Sequence, residues 1–416
     1  MHPLWRVMRA PVVPPILGVA FAALLGTPAT ASAGSAASGA IAGAADSTST
    51  VDPAPESSMA GLEPIESMSL ESLLKREIRG GEMGSYGLRL AEFSVEADLH
   101  GYLGVDLIGS APGQISTFDL HHAVLFARAD FFGRIIPELA LEWEHAGTEF
   151  YMPYAQIDLK STDALIFRVG YFVTPVGAFN EYQYPDFLRK TILAPIAMRE
   201  IIPALWSEVG VQVRGKVVDA SGRGVNYAVF TSNGLEQTDS DPSDDVVPEG
   251  GSIRGMTKHA RDQTNADKAF GGRLGATLAK GLDLGCSGYH GAYTADGRRD
   301  LTMLGTDLAL HFEQFTLRME AVAARQEVTG GRLNKRGGYV LLARRANPSI
   351  EPYVQLESVH IEGLADPVRR RLISGIVFYP FPGQAENVMM KIEGAWTRLG
   401  DGNAFGQLLA QLTLGF

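Results

Sequence analysis

Apolar and polar residues alternate with a period of two along most of the chain from Ala97 to Phe416, and turn residues separate the alternating segments. In the segment 208–217, valines occupy one face and charged or amide residues occupy the other. These residues are Val209, Val211, Val213 and Val217 against Glu208, Gln212, Arg214 and Lys216. Successive side chains of a strand point to opposite faces, so the pattern predicts β-strands with one apolar face. The second face carries too many charges for a dry core.

About sixteen strands are predicted in this way. Their expected starts lie near Ala97, Asp119, Ile135, Tyr151, Ala164, Glu208, Gly224, Phe270, Leu282, Thr302, Gln314, Gly337, Ile350, Arg370, Asn387 and Phe405. The even number, and the alternation of short turns with mostly longer connections, favour an all-β fold in which residues 97–416 form a transmembrane antiparallel β-barrel. A soluble β-sandwich alternates similarly, but it places its polar face outside.

The two faces of the strands are expected to have different surroundings in such a barrel, because apolar faces contact lipid and polar faces line the lumen. The predicted lipid-facing residues include Val209, Val211, Val213, Leu139 and Leu141, and the predicted pore-lining residues are Arg168, Gln212, Arg214, Lys216, Glu142 and Asp158. An aromatic girdle is expected where the short turns meet the membrane surface. It would comprise Phe131, Phe132, Phe312, Phe315, Tyr379, Phe381 and Phe416.

Two connections, 173–207 and 232–269, are longer than the ~15 residues beyond which structureless loops are uncommon unless functional or disordered. The first is rich in proline, aromatic and apolar residues, and it would be the third external loop. We expect it to fold into the lumen, where Tyr182, Tyr184, Phe187, Ile192 and Leu193 would pack it to the wall. The alternative is a lid on the rim of the barrel.

The charges of this loop are candidates for a pore constriction, and their sum is zero. They are Glu181, Asp186, Arg189, Lys190, Arg199 and Glu200. Opposite charges that face each other across a narrow pore create a transverse field, which favours dipolar solutes. The alternative is a set of exposed charges that pair weakly with each other.

The N-terminal region carries the features of an export signal. Arg6 and Arg9 precede an apolar run at 16–25 and the cleavage motif Ala31-Ser32-Ala33, so residues 1–33 are expected to be a secretory signal peptide. The apolar run is about half of the ~20 residues that a membrane-spanning helix needs. Residues 34–60, rich in Ala, Ser, Gly and Pro, predict a disordered leader, and residues 61–80 predict a short amphipathic helix in the periplasm.

Composition and motifs exclude several functions. Cleavage after Ala33 removes Arg6 and Arg9 and no acid, which takes the formal net charge from −11 to −13, and such a charge disfavours a nucleic-acid partner. Cys286 is the only cysteine and cannot form an intramolecular disulfide. No nucleophile-elbow, P-loop or metalloprotease motif occurs, so neither an enzyme nor a cofactor is expected.

Two local sequences invite a metal-site hypothesis, and neither predicts one strongly. Residues that are neighbours on a strand point to opposite faces, so His121 and His122 are not expected to bind one ion together. The acidic run DSDPSDD at 239–245 lacks the regular ligand spacing of a calcium loop, and a solvated loop is the expected structure.

Three segments resemble the phosphate-selective porin O and P family. They are GYFVTPVGAFNEYQYPDFLRKTILAPIAMREIIPALWSEVGVQVRG, DLHHAVLFARADFFGRIIPELALEWEH and YAVFTSNG, and the last strand, FGQLLAQLTLGF, resembles an outer-membrane assembly signal read at Phe416. The resemblance implies a homotrimer of sixteen-stranded barrels in the bacterial outer membrane, surrounded by lipid and lipopolysaccharide, whose third external loop narrows a pore for small solutes. A barrel hydrolase, or an adhesive or structural barrel without conduction, is the alternative.

The charge pattern departs from what a phosphate channel needs. Anion selectivity requires a dense ladder of arginine and lysine, whereas here Arg168, Arg214 and Lys216 share the polar faces with Glu142 and Asp158. The phosphate specificity of the family is therefore not expected for this chain.

Overall fold

The computed structural model describes residues 95–109, 116–236, 252–256, 267–294, 296–364 and 366–416. The signal peptide, leader and helix predicted before residue 81 lie outside these residues, as does the acidic run 239–245. In the part of the chain described here, no helix is long and apolar enough to cross a membrane.

Sixteen strands account for most of the described residues. The first eight are β1 (Val95–Gly109), β2 (Thr117–Phe131), β3 (Ile135–Glu144), β4 (Glu149–Thr162), β5 (Leu165–Val173), β6 (Ser207–Val218), β7 (Gly224–Ser232) and β8 (Ala269–Ala279). The other eight are β9 (Leu282–Ala292), β10 (Asp300–Phe312), β11 (Phe315–Val328), β12 (Gly331–Arg344), β13 (Ile350–Ile361), β14 (Val368–Phe378), β15 (Val388–Leu399) and β16 (Ala404–Gly415).

The strands form one closed antiparallel barrel, in which each strand pairs with its neighbours in sequence and β1 pairs with β16. At the seam, Tyr102 lies opposite Gly415, and the backbones of Gly101 and Phe416 exchange hydrogen bonds of 2.9 and 2.8 Å. A Cβ atom at Gly101 would lie 2.5 Å from the main-chain oxygen of Val124, so only glycine fits there. Closure leaves no unpaired sheet edge, which satisfies the backbone of every strand.

The strands alternate between exposed and buried side chains, and the exposed side chains are mainly apolar. On β6, Val211 is 50% exposed and Gln212 is 2% exposed, and on β4, Ile157 is 41% exposed and Asp158 is 4% exposed. In a closed barrel the buried face is the inward one. The predicted register of these strands is therefore confirmed.

The exposed aromatic residues at the end with short connections include Phe132, Phe312, Phe315, Phe381 and Phe416. Tyr379 is wrongly predicted as a girdle residue, because it is 3% exposed and its hydroxyl donates to Glu351 on the inward face. Phe378, beside it in the chain, is exposed instead.

Connection lengths alternate less regularly than the sequence predicts. The connections 145–148 and 329–330 lie on the side that carries the long loops, yet they contain only a few residues. As a result, β12 begins at Gly331, well before the predicted start near Gly337.

Candidate functional site

The connection between β5 and β6, residues 174–206, packs against the inward faces of the strands. We call it the β5–β6 loop. It contains helical turns at Phe179–Gln183 and Asp186–Leu188 and a short helix, α1 (Ile196–Glu200). Its apolar side chains share one cluster with inward residues of β9 to β15, among them several tyrosines. The cluster includes Val176, Met198, Ile201, Ile202 and Trp206 from the loop, and Tyr289, Tyr339 and Tyr353 from the wall.

The two ends of the β5–β6 loop are fastened to each other. The backbone N–H of Thr174 donates to the Trp206 carbonyl at 3.0 Å. The Asn180 side chain accepts from the Trp206 N–H at 2.8 Å and donates to the Thr174 carbonyl at 2.9 Å. Asn180 is 1% exposed, so water does not reach these backbone groups, which have no partner in the β-sheet. The Asn180 amide supplies the hydrogen bonds that they need. The base of the loop is thereby held closed.

Three buried glutamates of the wall hold the middle of the loop by its backbone. Glu320 on β11 accepts from the Phe179 N–H at 3.0 Å, and Glu357 on β13 accepts from the Ile196 N–H at 2.8 Å. Glu393 on β15 accepts from the N–H groups of residues 192 and 193 at 2.7 and 3.1 Å. Hydrogen bonds to a carboxylate are about twice as strong as neutral ones. These glutamates therefore anchor the loop at three points on alternate strands.

Basic residues of the wall bind loop carbonyl groups between these anchors. The Lys391 ammonium donates to the Asp186 carbonyl at 2.6 Å and to the Gln411 side chain at 2.8 Å. The Arg371 guanidinium pairs with Glu357 at 2.9 Å and donates to the Ala194 carbonyl at 2.5 Å. The Arg371 guanidinium thus neutralises a buried carboxylate, and both wall cations fix the course of the loop.

Five of the six loop charges predicted to form the constriction have an ion-pair partner in the structure. Their contacts are Arg189 with Asp186, Lys190 with Glu351 at 3.0 Å, Glu181 with Arg273 at 3.5 Å, and Glu200 with Arg369 at 3.7 Å. Arg199 is half-buried, and burial together with the nearby Arg254 lowers its pKa. Of these six, the structure brings Asp186 and Arg189 together, and it pairs Glu181, Lys190 and Glu200 with residues of the wall.

Asp186 is the most enclosed of these charges, at 0% exposure. Burial by itself would raise the pKa of this carboxyl, but Arg189, His122 and Lys391 outweigh it and hold the pKa below its ordinary value. The Asp186 carboxylate also accepts from the Gln411 side chain at 2.8 Å. Asp186 therefore stays ionised at neutral pH and ties the loop to β2, β15 and β16.

The predicted pore-lining residues lie on inward faces, with different accessibility. Arg168 and Asp158 form a two-bond ion pair of 2.7 and 2.8 Å between β5 and β4. Gln212 is buried, Arg214 is half-buried and Lys216 is exposed near the turn after β6. Glu142 is 2% exposed and accepts from His122 at 2.6 Å.

The expectation that His121 and His122 point to opposite faces is wrong. Gly104 of β1 lies opposite His122 and Val105 lies opposite Leu120, so His121 is an extra residue in a β-bulge. The bulge puts both imidazoles on the inward side, with ring centroids 4.0 Å apart. The Nδ1 atom of His121 lies 3.1 Å from Asp106. A period-two pattern cannot reveal a bulge, and this one places two histidines beside the β5–β6 loop.

Comparison with solved structures finds the fold of outer-membrane porins. The anion-selective porin from Comamonas acidovorans is 11% identical with a TM-score of 0.56, and the match covers 77% of this chain and 100% of that chain. A loop-deletion mutant of OmpT, an outer membrane protein of Vibrio cholerae, is 11% identical with a TM-score of 0.54, covering 77% and 99%. OmpF of Salmonella typhi, in complex with daunomycin, is 12% identical with a TM-score of 0.51, covering 77% and 98%. These likenesses show the fold.

Comparison of the sequence with known proteins finds a match over a smaller part of the chain. A protein from Aquifex aeolicus (strain VF5), described as uncharacterized, is 24% identical over 191 residues, which span 44% of this chain and 41% of that protein. The chain thus matches less than half the length of this relative. No family model matches the chain, and the narrower likeness to phosphate-selective porins rests on the sequence segments alone.

Proposed function

We propose that this protein is a bacterial outer-membrane porin through which small polar or charged solutes diffuse passively. The proposal rests on the distribution of side chains between the two faces of the barrel. In the described residues, the outer face is mainly apolar and the interior contains ion pairs. Val211, Val229 and Leu304 are 50%, 62% and 65% exposed, whereas Arg168 pairs with Asp158 within the enclosed space. Soluble proteins rarely expose continuous apolar surfaces of more than a few hundred Å², and a lipid bilayer covers such a surface.

We infer further that the β5–β6 loop is the constriction of the pore. Its anchors on β11, β13 and β15, and its contacts with β2, β8 and β16, support a loop that crosses the interior. Loop and wall side chains there are closely packed, so solutes would pass through the part of the interior that the loop leaves open. The half-buried Arg214 and Arg128 and the exposed Lys216 belong to the wall of such a path.

The proposed assembly is a homotrimer in the outer membrane, reached by export through a signal peptide. One of the structural neighbours is OmpT of Vibrio cholerae in a trimer form, with a TM-score of 0.52 and 10% identity. Lipid and lipopolysaccharide would surround the barrel. The C-terminal strand would present Phe416, which is 55% exposed, to the assembly machinery.

Planar-bilayer recording of the purified full chain tests the function. We expect steady, ohmic conductance steps on insertion, because a porin path is open at all voltages near zero. A barrel that inserts and conducts nothing would overturn the proposal and leave a barrel hydrolase or an adhesive barrel. Insertion is checked independently by protection of the barrel from protease in proteoliposomes.

Neutralising the loop cations should shift ion preference toward cations. In the triple variant Arg189→Gln, Lys190→Gln, Arg199→Gln the loop becomes more negative, and Asp186 loses its guanidinium partner. Fixed negative charge favours cations and disfavours anions. The reversal potential in a salt gradient measures the shift, which should shrink in high salt because of screening.

A matched control removes the same number of positive charges at exposed sites. Arg223, Arg298 and Arg332 have side chains that are 63%, 84% and 56% exposed, so the variant with glutamine at these three positions should leave the reversal potential nearly unchanged. Equal shifts in both triple variants would mean that overall charge, and not the loop, sets the preference.

A further inference from the structure

We propose that His121, His122 and Asp186 form a binding site for one divalent transition-metal ion of the class that takes imidazole and carboxylate ligands, with Zn²⁺ as the representative. One ligand atom from each of the three residues lies within 4.8 Å of the other two. The histidines come from the bulge in β2, and the aspartate comes from the β5–β6 loop. The site therefore exists only when the loop lies against the wall.

The distances suit such an ion. The His122 Nε2 atom lies 3.5 Å from the Asp186 Oδ2 atom. Two ligands that are each roughly 2.0–2.1 Å from a tetrahedral zinc ion are about 3.4 Å apart, so this pair is already at the spacing required. His121 has a half-exposed side chain and can rotate to bring its nitrogen into the same sphere.

The Nδ1 atom of each histidine, on the other side of the ring from the proposed ligand atom Nε2, lies within hydrogen-bond distance of a carboxylate. Glu142 lies 2.6 Å from the His122 Nδ1 atom, and Asp106 lies 3.1 Å from the His121 Nδ1 atom. A carboxylate only accepts, so both Nδ1 atoms carry the proton. An ion bound at the Nε2 atoms takes the place of any proton there, so binding should weaken as the pH falls. This carboxylate–histidine arrangement is the one that orients metal-binding imidazoles in proteins.

The charges around the site favour a cation. Four carboxylates adjoin the two imidazoles, and two basic side chains contact Asp186. These residues are Asp106, Glu142, Glu144 and Asp186 against Arg189 and Lys391. Arg189 binds the Oδ1 atom of Asp186, and Lys391 binds its main-chain carbonyl, so neither occupies Oδ2. Gln411 donates to Oδ2 at 2.8 Å and would share that oxygen with the ion or release it.

A bound ion would join the β5–β6 loop to β2 through bonds much stronger than a hydrogen bond. Without an ion, His122 of β2 approaches the loop through a 3.5 Å contact with Asp186 and an edge-on ring contact with Tyr184. The same ion would therefore fix the part of the loop that has no glutamate anchor, since Glu320, Glu357 and Glu393 all lie on β11 to β15.

Calorimetric titration of Zn²⁺ into the folded, chelator-stripped full chain tests the site. We expect one equivalent to bind, and we expect His121→Asn and His122→Asn each to weaken binding at least as much as Glu142→Gln, for which loss of an orienting carboxylate should cost about 10- to 100-fold. His290→Asn is the control, because His290 lies on β9 with its side chain 58% exposed, and it should bind as the parent does. Far-ultraviolet circular dichroism confirms that each variant is folded.

Electron paramagnetic resonance of bound Cu²⁺ gives a readout that a general loss of stability would not produce. Nitrogen hyperfine structure should report two imidazoles in the parent and one in either single histidine variant. A folded parent that binds no metal would overturn the proposal. Binding that survives His122→Asn and disappears in His145→Asn would also overturn it, because the ion would then sit at the neighbouring exposed group of Glu144, His145 and Glu149.

Discussion

Shortening the β5–β6 loop should raise single-channel conductance several-fold while the barrel still folds. The variant replaces residues 182–201 with a short glycine–serine linker and keeps Thr174, Asn180 and Trp206, whose hydrogen bonds close the base of the loop. It removes α1 and apolar side chains such as Met198 and Ile201 that pack on the wall, so the water-filled cross-section widens. The strands pair with one another without using the loop. Planar-bilayer conductance measures the effect.

The triple neutralisation of Arg189, Lys190 and Arg199 serves as the comparison, because it changes charge and keeps the volume of the loop. We expect a shift in reversal potential with little change in conductance for that variant, and a large rise in conductance for the shortened loop. If shortening changes neither quantity, the loop is a lid and the selectivity filter lies elsewhere.

Placing an arginine on the outer face of β6 should destabilise the barrel strongly. Val211 is 50% exposed and lies between Val169 on β5 and Thr231 on β7. Near the midplane of the bilayer, Val211→Arg should lower the free energy of unfolding by about 2 to 4 kcal/mol, because an arginine costs that much on the lipid face. Reversible urea unfolding from lipid vesicles, followed by tryptophan fluorescence, measures the difference.

The comparison variant is Asn226→Arg on the inward face of β7. Asn226 is half-buried and lies opposite the exposed Lys216, so water reaches the new side chain and the cost should be much smaller. Gln212 is a poor comparator, because it is 2% exposed and lies opposite Arg168. Equal losses for Val211→Arg and Asn226→Arg would show that the outer face of β6 is not in contact with lipid.

The barrel was largely predictable from the sequence, because strand register follows from a period of two that each segment displays by itself. The segment around Val211 and Gln212 is an example, and Ile135, Gly224, Leu282 and Ile350 begin strands where the pattern begins. The early start of β12 could not be predicted in this way, because the segment Gly331–Arg336 is mainly polar and shows no alternation of apolar and polar residues.

The site was less predictable, because its contacts join residues that are far apart in the chain. The length and apolar content of the β5–β6 loop indicated that it packs against something. Nothing local distinguishes Glu320, Glu357 and Glu393 from other inward acids, and their role follows only from their distance to loop N–H groups. The pairing of Lys190 with Glu351 and the bulge at His121 likewise depend on the assembled barrel.

The three glutamate anchors also constrain the order in which the molecule assembles. Ile192 bonds to Glu393, which is 201 residues further along the chain, and Phe179 bonds to Glu320, which is 141 residues further. Contacts of such separation form late, because the chain between them must first lose its freedom. The loop therefore cannot dock until the last strands have joined the sheet. A chain arrested before β15 would leave this apolar segment unpacked, and chaperones and proteases that recognise exposed apolar chain would bind it.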